Sequence, residues 1–278
     1  MTDFTALLAQ AGANDVAWED PNLPGRTIWL RSARPKHCTP ETPVLFVHHG
    51  VGRNGGDYRD YWLPLVDEAD LLVVAPEFPD EGFPQGFSYN FGNVLNQDGA
   101  ANPRAQWTYN VDERVFAELR AQGVTRRKRY GVFGHSAGSQ FVHRMLTLGF
   151  RGQVAAAVAA NAGTYAMPSL EDPWPYGFAG TDLDEAGLRA MLALRLTVMA
   201  GTADIDASSP NFPKEPVAML QGGTRYERAH TYIAAARTAA EQRGIRCAWT
   251  IVDVEGVGHD GCRMSAAAAP ILSAALHA

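Results

Sequence analysis

A serine held between two glycines, in Gly134-His-Ser-Ala-Gly138, is the first candidate for chemistry in this 278-residue chain. The pattern G-x-S-x-G between a strand and a helix is a nucleophile elbow, which exposes the serine hydroxyl for attack on a carbonyl. The apolar run Tyr130 to Phe133 is typical of a buried strand, and apolar residues from 141 to 146 recur at helical spacing. Ser136 is therefore predicted to be a nucleophile, with glycines on both sides because neighbouring backbone leaves no space for a side chain.

A serine hydroxyl is a weak nucleophile near neutral pH, so it needs a base within reach and a third group that orients the base. Of the eight histidines, His259 follows a late strand, in the glycine-rich loop 256–261, and is the predicted base. Asp204 ends the segment Gly201-Thr-Ala-Asp, directly after another strand, and is the predicted acid. Asp206, two residues later, is the alternative.

The oxyanion of a tetrahedral intermediate needs two backbone N–H groups aimed at it. Ala137, the residue after the nucleophile, is predicted to supply one. Val51, in the glycine-rich loop after an early strand, is predicted to supply the other, with Gly52 as the alternative. The loop is not a P-loop, since no Gly-Lys-Ser/Thr follows. No metal or other cofactor is predicted, because His48-His49 precedes this loop and does not form a helical pair of ligands.

Short apolar runs alternate with helical segments, and each of these candidates follows one of the runs. This pattern predicts the α/β class, with a mostly parallel central sheet that is covered by helices on both faces. In such sheets the functional residues gather beyond the carboxyl ends of the strands. A short helix is predicted over 4–11, and a first strand over 26–31 at a sheet edge. Later strands are predicted at 44–47, 71–75, 130–133, 153–160, 194–200 and 246–254.

One domain is predicted over residues 1–278, with loop insertions near 77–110, 161–190 and 206–224. The first insertion contains seven aromatic side chains, at positions 78, 83, 87, 89, 91, 107 and 109. Long loops beside an active face tend to be functional, so these side chains could line a substrate cleft. They could equally pack beneath the loop as a small apolar cluster, and both interpretations stay open here.

Composition excludes several classes of partner. The net charge of −6, with both signs interspersed, gives no reason to expect nucleic acid or an anionic membrane surface as a partner. Three cysteines without metal-ligand spacing argue against a disulfide framework, although a single Cys247–Cys262 bridge stays open. The first residues lack the features of a signal peptide, and no apolar run is long enough to span a bilayer. A cytoplasmic location is therefore expected.

Four motifs occur in the order that the α/β-hydrolase family has, and from about residue 27 onward the chain resembles that family. They are His49-Gly50, Gly134-His-Ser-Ala-Gly138, Gly201-Thr-Ala-Asp204 and Gly258-His259. Together with the loop 48–56, they further resemble the poly(3-hydroxybutyrate) depolymerase-like and feruloyl-esterase-like serine esterases. The resemblance implies the α/β-hydrolase fold and the triad and oxyanion-hole roles given above.

The resemblance also implies a carboxylic-ester hydrolase that works through an acyl-enzyme. Short-chain esters, hydroxyalkanoate oligomers and esters of aromatic acids are the substrates it suggests. Ser139 stands where such esterases often have another glycine, and no polymer-binding module is apparent, so a small or oligomeric ester is expected. A serine peptidase, thioesterase or perhydrolase could use the same residues. A member of the fold that only binds a ligand is the alternative from another class.

Overall fold

The sheet that carries the candidate residues is seen in a computed structural model that describes residues 2–149 and 152–278. Within that part of the chain the sheet has eight strands. They are β1 (Gly12–Glu19), β2 (Thr27–Arg34), β3 (Val44–His48), β4 (Leu72–Glu77), β5 (Tyr130–His135), β6 (Val154–Ala160), β7 (Thr197–Gly201) and β8 (Thr250–Val254).

The sheet order is β1-β2-β4-β3-β5-β6-β7-β8. Two pairs of strands, β1–β2 and β2–β4, are antiparallel. All other neighbouring strands in the described sheet, β4-β3-β5-β6-β7-β8, pair parallel. The prediction of a mostly parallel sheet is therefore confirmed.

Helices connect the parallel strands, as crossover connections require. Those described are α1 (Gly55–Trp62), α2 (Val66–Ala69), α3 (Gln85–Ser88), α4 (Val111–Ala121), α5 (Ala137–Leu148), α6 (Glu185–Leu192), α7 (Pro216–Met219), α8 (Arg225–Gln242) and α9 (Gly261–His277). Short 3₁₀ helices lie at Phe4–Leu8, Arg104–Gln106 and Thr108–Asn110. In the described residues, no helix is both long and apolar enough to cross a membrane.

The central strands of the sheet are buried on both faces. Phe46 of β3 belongs to the apolar core under α4, α5, α6 and α8, whereas its neighbours Leu45 and Val47 belong to the core under α1, α2 and α9. Successive side chains of a strand point to opposite faces, so a strand covered on both sides must be apolar throughout. This is why the central strands could be recognised in the sequence.

The predictions for the first part of the chain were partly wrong. Residues 12–19 form β1, a strand that was not predicted, and β2 is therefore internal rather than at the edge. Only Val16 and Trp18 of β1 are buried, since this edge strand faces solvent on its other side. The residues before them include Gly12, Asn14 and Asp15, which are uncommon in strands. The alternation of buried and exposed residues is therefore too short to indicate a strand from the sequence. The three cysteines are free, so the Cys247–Cys262 bridge is not formed.

A buried hydrogen bond between two side chains fixes the end of β3 beneath the loop that follows it. The Nε2 of His48 lies 2.8 Å from the Oδ2 of Asp112, and both side chains have no exposed surface. Asp112 is in the first turn of α4, where the helix dipole favours a negative charge. The pair therefore ties β3 to α4 directly below the candidate site.

Replacing Asp112 by alanine is expected to lower the free energy of unfolding by about 2–3 kcal/mol, because it leaves a buried ring N–H of His48 without an acceptor. Urea unfolding followed by circular dichroism would measure this loss. Asp253→Ala is the matched control, since its pair with His230 is 41% and 43% exposed and should contribute only about 0–1 kcal/mol. Equal losses in the two variants would contradict the structural role of the buried pair.

Candidate active site

The turn from β5 into α5 places Ser136 in a strained conformation, with φ 59° and ψ −117°. A Cβ on Gly134 would lie 2.1 Å from the carbonyl oxygen of Gly138, and a Cβ on Gly138 would lie 2.1 Å from that of His48. Neither position can hold a side chain without moving backbone. The two glycines therefore allow the tight turn that exposes the serine at the start of α5.

The other predicted site residues follow neighbouring parallel strands. Val51 comes after β3, Asp204 after β7 and His259 after β8, while Ser136 follows β5. Because β3, β5, β6, β7 and β8 are adjacent and parallel, their carboxyl ends lie along one edge of the sheet. Topology alone thus brings these four residues to the same edge.

Ser136, His259 and Asp204 form one hydrogen-bonded chain. The Nδ1 of His259 lies 2.7 Å from the Oδ2 of Asp204, and its Nε2 lies 2.9 Å from the Oγ of Ser136. A carboxylate can only accept, so Nδ1 donates to Asp204 and Nε2 accepts the hydroxyl proton of Ser136. His259 is then in the tautomer that a general base requires.

The alternative acid, Asp206, is turned away from this chain. It is exposed and accepts from the backbone N–H and the hydroxyl of Ser208, at 2.8 and 2.6 Å. These two bonds lower the pKa of Asp206 below its ordinary value. Asp206 is therefore a turn residue.

Arg225 is a site residue that the sequence did not reveal. Its Nη1 lies 3.5 Å from the Oδ1 of Asp204, and both side chains are almost completely buried. Asp204 therefore has His259 on one oxygen and a guanidinium near the other. Arg225 is the first residue of α8, where an arginine ordinarily lies at the surface, so only the packing of α8 against this edge makes it part of the site.

The loop after β3 runs beside Ser136, as an oxyanion hole requires. A Cβ on Gly50 would lie 3.6 Å from the Cβ of Ser136 and 3.0 Å from the hydroxyl oxygen of Tyr58. Val51 and Ala137 line the same cavity as Ser136. In residues 2–149 and 152–278, no backbone hydrogen bond is donated by the N–H of Val51 or of Ala137, so both groups are free to bind an oxyanion.

His49 fixes the direction of this loop. Its Nε2 accepts from the backbone N–H of Phe78 at 3.1 Å, and its Nδ1 donates to the carbonyl of Gly50 at 2.8 Å. Burial lowers the pKa of His49 to about 3, so the ring stays neutral and both bonds persist at neutral pH. Tyr89 stacks on the ring and donates its hydroxyl to the carbonyl of His49.

His135, inside the elbow, packs against the predicted base. Its ring centroid is 4.7 Å from that of His259, and its Nδ1 lies 2.7 Å from the hydroxyl of Tyr58. Burial, and next the charge of His259, lower the pKa of His135 well below its ordinary value. A neutral ring at this position supports His259 without repelling its protonated form.

A cavity of about 290 Å³ opens beside Ser136. All three predicted loop insertions contribute to its wall, through residues such as Phe91, Tyr176 and Pro213. Most aromatic side chains of the first insertion are buried instead, and Tyr89 and Tyr109 pack against Phe141 of α5. Most of these residues therefore form a buried cluster, whereas Phe91 lines the cavity.

Histidine, cysteine and carboxylate side chains form no group of three or more that could hold a metal ion in the part of the chain that the structure describes. His48 and His49 are separately engaged, with Asp112 and with the backbone around Gly50. The candidate site brings together the hydroxyl of Ser136, the imidazole of His259 and the carboxylate of Asp204.

Two solved structures match almost the whole chain. LpqC, a poly(3-hydroxybutyrate) depolymerase from Bordetella parapertussis, is 42% identical with a TM-score of 0.92, over 97% of this chain and 92% of its own. Poly(aspartic acid) hydrolase-1 from Sphingomonas sp. KT-1 is 34% identical with a TM-score of 0.91, over 95% of this chain and 99% of its own.

More distant structures share the fold alone. FphF, a fluorophosphonate-binding serine hydrolase from Staphylococcus aureus, is 16% identical with a TM-score of 0.61, over 96% of this chain and 99% of its own. No protein-family model matches the chain, and neither does any curated protein.

Proposed function

Because this chain belongs to the α/β-hydrolase-fold esterases and depolymerases, we propose that it cleaves carboxylic esters through an acyl-enzyme formed on Ser136. Its membership makes it a hydrolase of esterase or depolymerase type. The proposal adds the residues and the substrate class. The observation that carries it is the continuous contact from Asp204 through His259 to Ser136, at 2.7 and 2.9 Å.

In the first half-reaction, the Oγ of Ser136 attacks the ester carbonyl carbon while the Nε2 of His259 takes the hydroxyl proton. Asp204 accepts from Nδ1 and stabilises the imidazolium that forms. The negative charge on the carbonyl oxygen is bound by the N–H groups of Val51 and Ala137. His259 then returns the proton to the departing alcohol, which leaves the acyl group on Ser136.

Water completes the cycle on the same residues. His259 takes a proton from the water as its oxygen attacks the acyl carbon. The bond to Ser136 breaks, the serine recovers its proton from His259, and the carboxylic acid departs. As written, neither half-reaction requires an oxidant, a metal or a cofactor.

Hydrolysis of an amide-linked polymer is the second candidate, because one relative is named as a hydrolase of poly(aspartic acid). The charges of the cavity favour a neutral substrate instead. Asp80 and Glu215 line it with exposed carboxylates. Arg53, which also lines the cavity, donates to the carbonyls of Phe78, Phe83 and Gln85 and pairs with Asp80. A polyanion would therefore meet repulsion that a neutral ester avoids.

The test is labelling with a fluorophosphonate, followed by mass spectrometry and an ester panel. A single adduct is expected on Ser136, and His259→Ala should not form it, because the serine then lacks its base. Short-chain esters, 3-hydroxybutanoate oligomers and aromatic-acid esters are expected to be hydrolysed faster than poly(aspartic acid). The absence of an adduct on folded protein would refute the mechanism. Faster cleavage of poly(aspartic acid) would refute the substrate class.

A further inference from the structure

The cavity beside Ser136 is on the acyl side of the site. His259 must protonate the leaving alcohol, so the alcohol departs on the side where His259 stands. The cavity is lined by Ser136 and Ala137 but not by His259, and it extends away along α5. Its volume of about 290 Å³ is at the small end of ligand pockets. It therefore suits a short acyl group.

Gln140 stands one helical turn after Ser136 in the wall of this cavity, with its amide held in one orientation. Its Oε1 accepts from the Nδ2 of Asn90 at 3.0 Å, and from Arg144 and Thr164 at 3.3 Å each. A guanidinium can only donate, so the oxygen must face Arg144 and the Nε2 must face the opposite way. That nitrogen is 3.0 Å from where a Cβ on Gly163 would lie, and Gly163 also lines the cavity.

Asn90 presents the complementary atom. Its Nδ2 is used on Gln140, which leaves its Oδ1 at 3.2 Å from where a Cβ on Gly86, another cavity residue, would lie. Within the described ranges, neither this oxygen nor the Nε2 of Gln140 has a hydrogen-bond partner. Both atoms keep some accessible surface. The cavity wall therefore offers one fixed donor and one fixed acceptor that the triad does not use.

We propose that Gln140 and Asn90 determine acyl specificity by binding a hydroxyl group on the acyl chain, an inference that rests on the ester hydrolysis proposed above. A hydroxyl accepts from Gln140 and donates to Asn90, and so satisfies both atoms at once. A plain alkyl chain would displace water from both amides and leave them unpaired, which disfavours it.

A carboxylate on the acyl chain fits these surroundings less well. The N–H groups of Arg144 are directed to Gln140, Thr164 and the carbonyl of Pro175. Arg53 is engaged by carbonyls and by Asp80, as described above. The Oδ1 of Asn90 would also face the anion. The wall is thus suited to a neutral polar group rather than to a charged one.

The test compares esters that differ by one atom in the acyl chain. The 4-nitrophenyl ester of 3-hydroxybutanoic acid is paired with that of 3-methylbutanoic acid, which replaces the hydroxyl by a methyl group. Wild type is expected to favour the hydroxy ester about tenfold in kcat/KM. Gln140→Met keeps the side-chain length and removes the donor, so the ratio is expected to fall to about one. Gln242→Met, on the exposed end of α8, should keep the wild-type ratio.

Gln140→Glu provides a second route if the methionine variant does not fold. It keeps an oxygen toward Arg144 and Thr164 but replaces the donor by an acceptor. The probe is then the 3-methoxybutanoate ester, which can only accept, compared with its 3-methylpentanoate isostere. Its advantage in wild type, expected to be several-fold, should disappear or reverse in the variant.

A ratio near one in wild type, or an unchanged ratio in both variants, would overturn the role of Gln140 and Asn90 while leaving ester hydrolysis intact. Failure of wild type to hydrolyse any of the four esters would instead refute the proposed function. The two failures are therefore distinguishable.

Discussion

Replacing Ser136 by alanine is expected to lower kcat for ester hydrolysis by about 10⁶-fold and to abolish fluorophosphonate labelling. The variant loses the atom that forms the acyl-enzyme, while His259 and Asp204 keep their contact at 2.7 Å. Any residual rate would come from binding and from the oxyanion hole acting on water. Steady-state kinetics would measure the loss, and circular dichroism would show that the fold is retained.

Ser139→Ala is the matched control for this variant. Ser139 lies three residues further along α5, is buried, and its hydroxyl has no hydrogen-bond partner among the residues described. Its removal should leave both kcat and labelling near wild type. If Ser136→Ala retained more than about 1% of wild-type activity, or if Ser139→Ala lost as much, Ser136 would not be the nucleophile.

The sequence was sufficient for the arrangement of the candidate site because three of its four motifs follow a strand that is buried, and the fourth, with His259, follows the partly exposed strand β8. Strands β3, β5 and β7 have almost no exposed residues, so their limits could be recognised. A parallel sheet then places the residues after those strands along one edge. Val51, Ser136, Asp204 and His259 could therefore be assigned to one site without knowledge of the structure.

Features that depend on tertiary packing could not be recognised in the same way. The strand β1 is half exposed, and its alternation covers only two buried residues, Val16 and Trp18. Arg225 and Gln140 occupy helices in which polar side chains ordinarily face solvent, and both are buried only because loops or strands cover them. No local pattern distinguishes such residues from surface residues, since burial is set by segments distant in the chain.

Asp204→Asn is expected to lower kcat by about 10⁴-fold with little change in fold. An asparagine can donate to Nδ1 of His259, which favours the tautomer with the proton on Nε2, so the ring can no longer accept from Ser136. The rate of fluorophosphonate labelling should fall with kcat, because both reactions need the same activated serine. Rates of ester hydrolysis and of labelling would be measured on the same preparation.

Asp206→Asn is the matched control, because the same change is made two residues away in the same loop. Its carboxylate is exposed and bonds only to Ser208 within the described ranges, so both rates should stay within about twofold of wild type. Loss of activity in Asp206→Asn with retention in Asp204→Asn would reverse the assignment of the acid. Comparable large losses in both variants would indicate that the loop itself, rather than one carboxylate, supports His259. His259 contacts Asp204 at 2.7 Å, and Arg225 lies near the other carboxylate oxygen. We therefore expect the large loss in Asp204→Asn alone.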